Sequence, residues 1–149
     1  MGARFQVTFD CADPDAQATF WALALDYVVQ PPPPGHESWE AFLAAHGMAE
    51  RLGMASAIVD PEGVGPRIFF QRVPEPKTEK NRVHLDLNIA APRRLGSEEH
   101  LDPEERQQPV DAAVARLVGL GATRIHSMDE YGDRWTVMLD PEGNEFCVH

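Results

Sequence analysis

His84 and Cys147 are the residues whose side chains most directly offer chemistry in this sequence. Asp86 follows His84 by two positions, and Glu145 precedes Cys147 by two. Because residues two apart on a strand point to the same side, each pair is expected to share one face. Imidazole, thiolate and carboxylate are the usual ligands of catalytic divalent metals, and a histidine beside a carboxylate can also act as a general base. His84 and Asp86 are therefore the candidate catalytic residues.

The same residues also have structural interpretations. His84 can be a hydrogen-bonded histidine that orients a neighbour or a ligand, and this interpretation is preferred to metal ligation. Cys147 can be a small buried hydrophobe, because free cysteine is among the most buried residue types. No cationic neighbour in the sequence favours a thiolate there, so a nucleophilic role is not predicted.

A repeated tetrapeptide indicates that the chain is a duplicated module. Asp-Pro-Glu-Gly occurs at 60–63 and again at 140–143, which is 80 residues later (140 − 60). Each copy lies between two apolar runs, and Asp-Pro with a nearby glycine is typical of turns. Each copy therefore predicts a β-hairpin whose acidic side chains are solvated. Two hairpins about half a chain apart predict two modules of similar topology.

In each half of the chain, the hydrophobic pattern fits one strand followed by a helix and then three more strands. The second strand of the first half is unclear. Alternating residues at 4–10 and 83–89 predict the first strands. A helix capped by Asp13 follows the first of them, with its apolar side given by Phe20, Leu23 and Tyr27, and with Trp21 and Leu25 beside it.

The remaining segments complete the two modules. Four prolines and a helix at 39–51, capped by Ser38, form an insertion at 31–54 in the first module. The polar segment 74–82 is a linker between modules, and the charged segment 92–108 is a surface loop. A helix is predicted at 109–120, ending at Gly121, with a buried side given by Val110, Val114, Leu117 and Val118.

The predicted fold is α+β, with two tandem βαβββ modules, 1–76 and 81–149, in a single domain. They form a curved mixed sheet around a cleft, and the helices lie outside. Aligning the halves places Gln6 opposite His84 (84 − 6 = 78) and Gln71 opposite Cys147 (147 − 71 = 76). The predicted ligand-binding residues on the cleft face are Gln6, Thr8, Trp39, Phe69, Gln71, His84, Asp86 and Cys147. Asp10, Asn88 and Glu145 are expected on the same face.

Composition narrows the classes of partner. The net charge of −11 argues against nucleic-acid binding, which needs a basic surface. No apolar run approaches the roughly 20 residues of a membrane span, and the acidic start is unlike a signal peptide. With two cysteines, no disulfide framework is predicted, and the cytoplasm is the expected compartment.

Three strings carry a resemblance to a known family. They are Asp13-Pro14 leading to Phe20-Trp21, the stretch from Phe70 to Asp86, and the ending from Asp140 to Val148. In these strings the chain resembles the vicinal oxygen chelate superfamily, and more narrowly its bacterial glyoxalase-like domains. The resemblance implies a homodimer and a divalent-metal position formed by Gln6, Gln71, His84 and Cys147. Metal-dependent members use mainly His and Glu there, whereas this chain supplies one His, two amides and a thiol.

Two functions are therefore in competition. The preferred hypothesis is a small-molecule binding protein of the glyoxalase/bleomycin-resistance type, with a degenerate metal site and no cofactor. The alternative is a divalent-metal-dependent lyase, isomerase or dioxygenase acting on vicinal oxygens, with His84 as the anchoring ligand. A third and weaker hypothesis is a partner module whose pocket is vestigial.

Overall fold

The computed structural model describes residues 2–89, 103–130 and 133–149. The chain divides into two compact units, Met1–Lys77 and Thr78–His149, and the boundary falls within the predicted linker. Unit 2 has the order βαβββ, and unit 1 has the same order with a helical insertion between its second and third strands. Each unit has its own four-stranded mixed sheet, which confirms the α+β prediction. In the described part of the chain, none of the helices combines the length and the apolar character needed to cross a bilayer.

Unit 1 contains two α-helices and four strands. Its elements are β1 (Val7–Cys11), α1 (Pro14–Leu25), β2 (Val28–Val29), α2 (Trp39–Ala45), a 3-10 helix (Ala49–Arg51), β3 (Ala55–Val59) and β4 (Ile68–Arg72). The sheet order is β1-β4-β3-β2, with β1 parallel to β4 and the other neighbours antiparallel. The short strand β2 is the one that the sequence pattern left unclear.

Helix α1 begins as predicted, and it buries Phe20 and Trp21 of the predicted apolar side. The Asp13 side chain accepts a hydrogen bond from the Ala16 N–H at 3.1 Å, and Pro14 occupies the first turn. Trp21 packs against Phe9 of β1 with ring centroids 5.3 Å apart. Leu23 is half exposed, so the prediction that it belongs to the buried side was wrong. Small residues, including Ala18 and Ala22, lie on the buried side instead, because they let the helix approach the sheet closely.

The insertion is helical for a shorter stretch than predicted. The Ser38 hydroxyl caps α2 by accepting from the Ala41 N–H at 3.0 Å, as the sequence indicated. The helix ends at Ala45 rather than near Arg51, because Gly47 adopts a positive φ of 68° and redirects the chain. None of the α2 residues is buried.

Unit 2 repeats the sheet architecture, and its two longest strands are β6 and β7. Its elements are β5 (Asp86–Leu87), α3 (Pro103–Gly119), β6 (Thr123–Glu130), β7 (Asp133–Leu139) and β8 (Glu145–Val148). The sheet order is β5-β8-β7-β6, with β5 parallel to β8. Strand β5 is shorter than the predicted 83–89, and Val83 is exposed rather than turned toward the helix layer.

Helix α3 begins before the predicted start. It already includes residues 103–108, which were predicted as part of a surface loop, and Pro109 lies inside it rather than at its first position. Val110, Val114 and Leu117 are buried as expected, whereas Val118 is half exposed. Gly121, with φ of 111°, ends the helix as predicted. The rest of the predicted loop, 92–102, lies outside the described residues.

The two Asp-Pro-Glu-Gly segments form the predicted hairpin turns. Asp60 accepts backbone N–H bonds from Glu62, Val64 and Gly65, and Asp140 accepts them from Glu142 and Asn144. Asp140 is also buried, at 3% exposure. The prediction of solvated carboxylates was therefore wrong for Asp140, whereas Asp60 stays partly exposed while it accepts the backbone bonds of its own turn.

Candidate functional site

One face of the unit 2 sheet carries a cluster of polar side chains. Leu87, Phe146 and Val148 are buried on the opposite face. Strand alternation therefore places Asp86 of β5 and Cys147 of β8 together on the polar face, and these two residues are direct ladder partners.

Asp86 is the centre of this cluster. His84 Nε2 lies 3.2 Å from Asp86 Oδ1, and His149 Nε2 lies 3.9 Å from Asp86 Oδ2. The His84 and Asp86 side chains are about half exposed, at 48% and 49%. Trp135 of β7 stacks on His149 with ring centroids 5.8 Å apart. The Asp86 cluster, defined as His84, Asp86, Cys147 and His149, is thus an open polar surface with an aromatic edge.

The Cys147 thiol is held in its neutral form. Burial raises its pKa, and the neighbouring Asp86 carboxylate raises it further by charge repulsion and by accepting a hydrogen bond. Lys80 acts in the opposite direction and is the weakest of these influences. The thiol is therefore a hydrogen-bond donor to Asp86, and the raised pKa disfavours the thiolate that a nucleophile needs.

Glu145 has a structural role beside the cluster. Its carboxylate accepts from the Asn81 N–H at 3.0 Å and lies 3.7 Å from Lys80 Nζ, while its own N–H donates to Asn81 Oδ1 at 3.3 Å. These bonds tie the segment before His84 to the start of β8. Strand alternation leaves Glu145 on the same face as Cys147, where these bonds give it an anchoring role.

The predicted amides of unit 1 are committed to neighbouring side chains. Gln6 Oε1 accepts from Arg67 Nη1 at 2.8 Å, and Gln71 Nε2 donates to Asp10 Oδ1 at 2.7 Å. Thr8 is exposed on the same face. Within unit 1, Gln6 and Gln71 are thus fixed separately and are not gathered into one donor set.

The aromatic candidates of unit 1 are linked through Gln30 and Arg67. The Trp39 indole N–H donates to the Gln30 carbonyl at 2.9 Å, and the Gln30 side-chain oxygen accepts from Arg67 Nε at 2.7 Å. The Arg67 guanidinium lies over the Phe69 ring, 5.1 Å from its centroid. Trp39 and Phe69 are thus both connected to Arg67.

The ladder registers change how the two units correspond. Asp10 pairs with Gln71, and Asp86 pairs with Cys147, and both pairs span 61 residues (71 − 10 and 147 − 86). The first and last strands of unit 1 must therefore be aligned with those of unit 2 by the same difference in residue number. The sequence alignment used a difference of 78 for the first strands and 76 for the last strands. If Gln71 remains equivalent to Cys147, the counterpart of His84 is Thr8. Gln6, which the sequence alignment had placed opposite His84, lies two positions before Thr8.

Three side chains of unit 2 have the chemistry and spacing of a metal-ligand set. The ligand atoms of His84, Asp86 and Cys147 all lie within 4.8 Å of one another. Three protein ligands with an open position are typical of a catalytic zinc-type site, so these residues fit a divalent metal without any contribution from unit 1.

Sequence reasoning missed three residues that complete these arrangements. His149 was detectable, because it lies two positions beyond Cys147 on the same face. Arg67 carried the same signal, two positions before Phe69. Gln30 carried no signal, because its contact with Arg67 joins segments 37 residues apart in the chain.

Comparisons with known proteins agree with the fold. The glyoxalase-like domain family matches residues 6–149. No curated protein matches the chain. A glyoxalase/bleomycin resistance protein/dioxygenase family enzyme from Burkholderia phytofirmans PsJN is similar in structure, with a TM-score of 0.60 and 16% identity over 96% of this chain and 94% of that one.

Two further structures show the same fold. One is a point mutant of the genomically encoded fosfomycin resistance protein FosX from Listeria monocytogenes, in complex with Mn(II) and 1S,2S-dihydroxypropylphosphonic acid. It has a TM-score of 0.60 and 12% identity, and the match covers 100% of this chain and 90% of that one. The other is TioX from Micromonospora sp. ML1, with a TM-score of 0.52, 14% identity, and coverage of 99% and 97%. At these identities the likeness concerns the fold alone, and the family follows from the match over residues 6–149: this chain belongs to the glyoxalase-like domain family of the vicinal oxygen chelate superfamily.

Proposed function

We propose that this protein binds a small organic ligand on the polar face of unit 2 and that binding requires no metal. The observation that carries the proposal is Asp86, an accessible carboxylate surrounded by three proton-bearing side chains. Such a carboxylate is a strong acceptor for hydroxyl, amide or amine groups of a ligand. His84 and Asp86 supply the polar contacts, and the Trp135–His149 stack supplies a flat apolar surface.

The donor chemistry supports binding in preference to metal catalysis. Gln6 and Gln71 are neutral amides, which are poor ligands for borderline metals, and both are committed to other side chains. The raised pKa of Cys147 also opposes the thiolate form that a metal ligand must adopt. The glyoxalase/bleomycin resistance/dioxygenase name of one structural neighbour is compatible with a ligand-binding role.

A second candidate function is favoured by the spacing of the Asp86 cluster. His84, Asp86 and Cys147 would hold a divalent metal, which would supply Lewis-acid activation of a substrate with vicinal oxygens. The chain would then be a lyase, an isomerase or a dioxygenase. The Mn(II) in the FosX complex is compatible with this candidate at the level of the superfamily.

The first experiment compares metal content with ligand binding. Protein purified without a polyhistidine tag is subjected to elemental analysis, and chelator-treated protein is then screened for ligands by thermal shift. We expect metal well below one equivalent, and hits whose affinity falls about tenfold or more in Asp86→Asn, as expected for loss of a charged hydrogen-bond acceptor. Asp111→Asn makes the same charge change on α3 and is the matched control, with unchanged affinity.

The opposite result is equally specific. Near-stoichiometric metal that is lost in His84→Ala would reject the metal-free proposal and establish the second candidate. Hits that bind Asp86→Asn as tightly as the parent would remove the Asp86 cluster from the binding site. Homodimer formation and residence in the cytoplasm stay predictions, and sedimentation of the purified protein would test the first of them.

A further inference from the structure

Arg67 occupies an unusual position in unit 1. It precedes β4, and its carbonyl accepts a hydrogen bond from the Val7 N–H at 3.1 Å, which adds one more rung to the β1–β4 ladder. Ile68 and Phe70 are buried on the helix side of the sheet. Alternation therefore places Arg67 and Phe69 on the opposite, polar face.

Two neutral amides hold the Arg67 guanidinium. Nε donates to Gln30 Oε1 at 2.7 Å, and Nη1 donates to Gln6 Oε1 at 2.8 Å. The Phe69 ring lies beneath the guanidinium, 5.1 Å from Cζ to the ring centroid. A long, flexible side chain is thereby fixed in one orientation before any ligand arrives, which lowers the entropic cost of binding.

These contacts fix the cation without neutralising it. No carboxylate of the described residues forms an ion pair with Arg67, although the chain carries a net charge of −11. The Nη2 amino group has no hydrogen-bond partner within that part of the chain. A forked guanidinium with a free edge matches the paired oxygens of a carboxylate or a phosphonate.

We propose that Arg67, Gln6, Gln30 and Phe69 form a receptor for an oxyanion carried by a small organic molecule. The guanidinium binds the oxyanion through Nη2 and the remaining Nη1 hydrogen, and Gln6 and Gln30 are positioning residues. This site lies in unit 1, so the inference goes beyond the proposed function and does not depend on it.

The test uses three probes with the same phenyl ring. Benzoate and phenylphosphonate carry the two oxyanions, and benzamide is the neutral counterpart of benzoate. Each is titrated into the full-length protein while backbone and arginine Nε resonances are followed by NMR. We expect saturable shifts around Arg67 and Phe69 with at least one oxyanion, and at least tenfold weaker binding of benzamide. The affinity should fall with added salt, as for an ionic contact.

Three variants assign the effect. Arg67→Gln is expected to weaken oxyanion binding about tenfold or more. Arg67→Lys keeps the charge and loses the fork, and is expected to bind with intermediate affinity. Arg51→Gln removes an exposed positive charge elsewhere in unit 1 and should leave the affinity unchanged. If the NMR spectrum of Arg67→Gln shows that this variant is unfolded, the oxyanion affinity of Arg67→Lys is compared with that of the parent protein instead.

Three outcomes would overturn the proposal. Equal binding of benzamide would show that an aromatic surface alone is recognised. Absence of saturable shifts with both oxyanions would show that no receptor exists. Equal weakening by Arg67→Gln and Arg51→Gln would show that the overall charge acts, and not the clamped guanidinium.

Discussion

At the scale of single residues, the pairing of Cys147 with Asp86 leads to a prediction about proton affinity. Burial and the Asp86 carboxylate raise the pKa of Cys147. In a Cys11→Ser background, the midpoint of the pH–rate profile for thiol alkylation should therefore lie above that of an ordinary cysteine. Asp86→Asn removes the negative charge and should move the midpoint down.

The control for this prediction is Asp111→Asn, which makes the same charge change at an exposed position on α3 and should leave the midpoint in place. If Asp86→Asn left the alkylation midpoint in place, the Asp86 carboxylate would not be a cause of the raised pKa of Cys147.

The raised pKa of Cys147 also has a consequence for the stability of the fold. Because the folded state holds the thiol proton more tightly than the unfolded chain, the contribution of Cys147 is present below the ordinary thiol pKa. It is lost as the pH rises through the raised value.

The residue scale also shows where sequence reasoning ends. His84, Asp86 and Cys147 were selected from residue type and two-residue spacing, and the structure brings all three together. The position of Arg67 two residues before Phe69 was visible in the sequence, but its amide partners were not: Gln6 is 61 residues away and Gln30 is 37. Contacts of this kind depend on strand pairing, which local patterns do not encode.

At the scale of elements, turns and caps were the most predictable features. Asp13, Ser38 and the two Asp-Pro-Glu-Gly turns act through hydrogen bonds within five residues of themselves, and their positions were predicted correctly. Helix and strand lengths were predicted less well. Helix α3 continues on the N-terminal side of Pro109 even though a proline there cannot donate the hydrogen bond to the preceding turn.

The β3–β4 turn supports a prediction about packing. A Cβ atom added at Gly65 would overlap the Tyr27 hydroxyl and lie 3.4 Å from Asp60 Oδ2. Because this turn is closed by hydrogen bonds to Asp60, it cannot easily move away. Gly65→Ala should lower the free energy of unfolding by about 1–3 kcal/mol, as overpacking usually does. Denaturant unfolding monitored by circular dichroism measures this change.

Two variants test the physical reason. Tyr27→Phe removes the overlapping hydroxyl, so combining it with Gly65→Ala should recover part of the loss. Gly119→Ala, at the end of α3, meets no atom within 4 Å and should leave stability unchanged or slightly higher. Equal losses for Gly65→Ala and Gly119→Ala would mean that the Tyr27 contact does not restrict the turn.

At the scale of the whole molecule, the duplication is visible in the two sheets but their chemistry has diverged. Both parallel ladders keep the same 61-residue spacing, and an aspartate on the first strand faces the last strand in each unit. In unit 2 the partner of that aspartate is a thiol, and in unit 1 it is an amide. The sequence repeat predicted the duplicated topology. It did not predict the register, because no local motif fixes how residues 4–10 align with residues 83–89.

This correspondence can be tested by moving the thiol. In a Cys11→Ser/Cys147→Ser background, Gln71→Cys places a thiol opposite Asp10, in the arrangement that Cys147 has with Asp86. The alkylation midpoint of the new thiol should lie above the ordinary value and should fall when Asp10→Asn is added. The shift should be smaller than for Cys147, because Gln71 is exposed and solvent screens the charge. Gln6→Cys in the same background is the matched control, since the register places it away from Asp10. Asp10→Asn could instead shift the alkylation midpoint of the Gln6→Cys thiol and leave that of the Gln71→Cys thiol in place. This result would favour a different register, in which Asp10 and Asp86 are not equivalent.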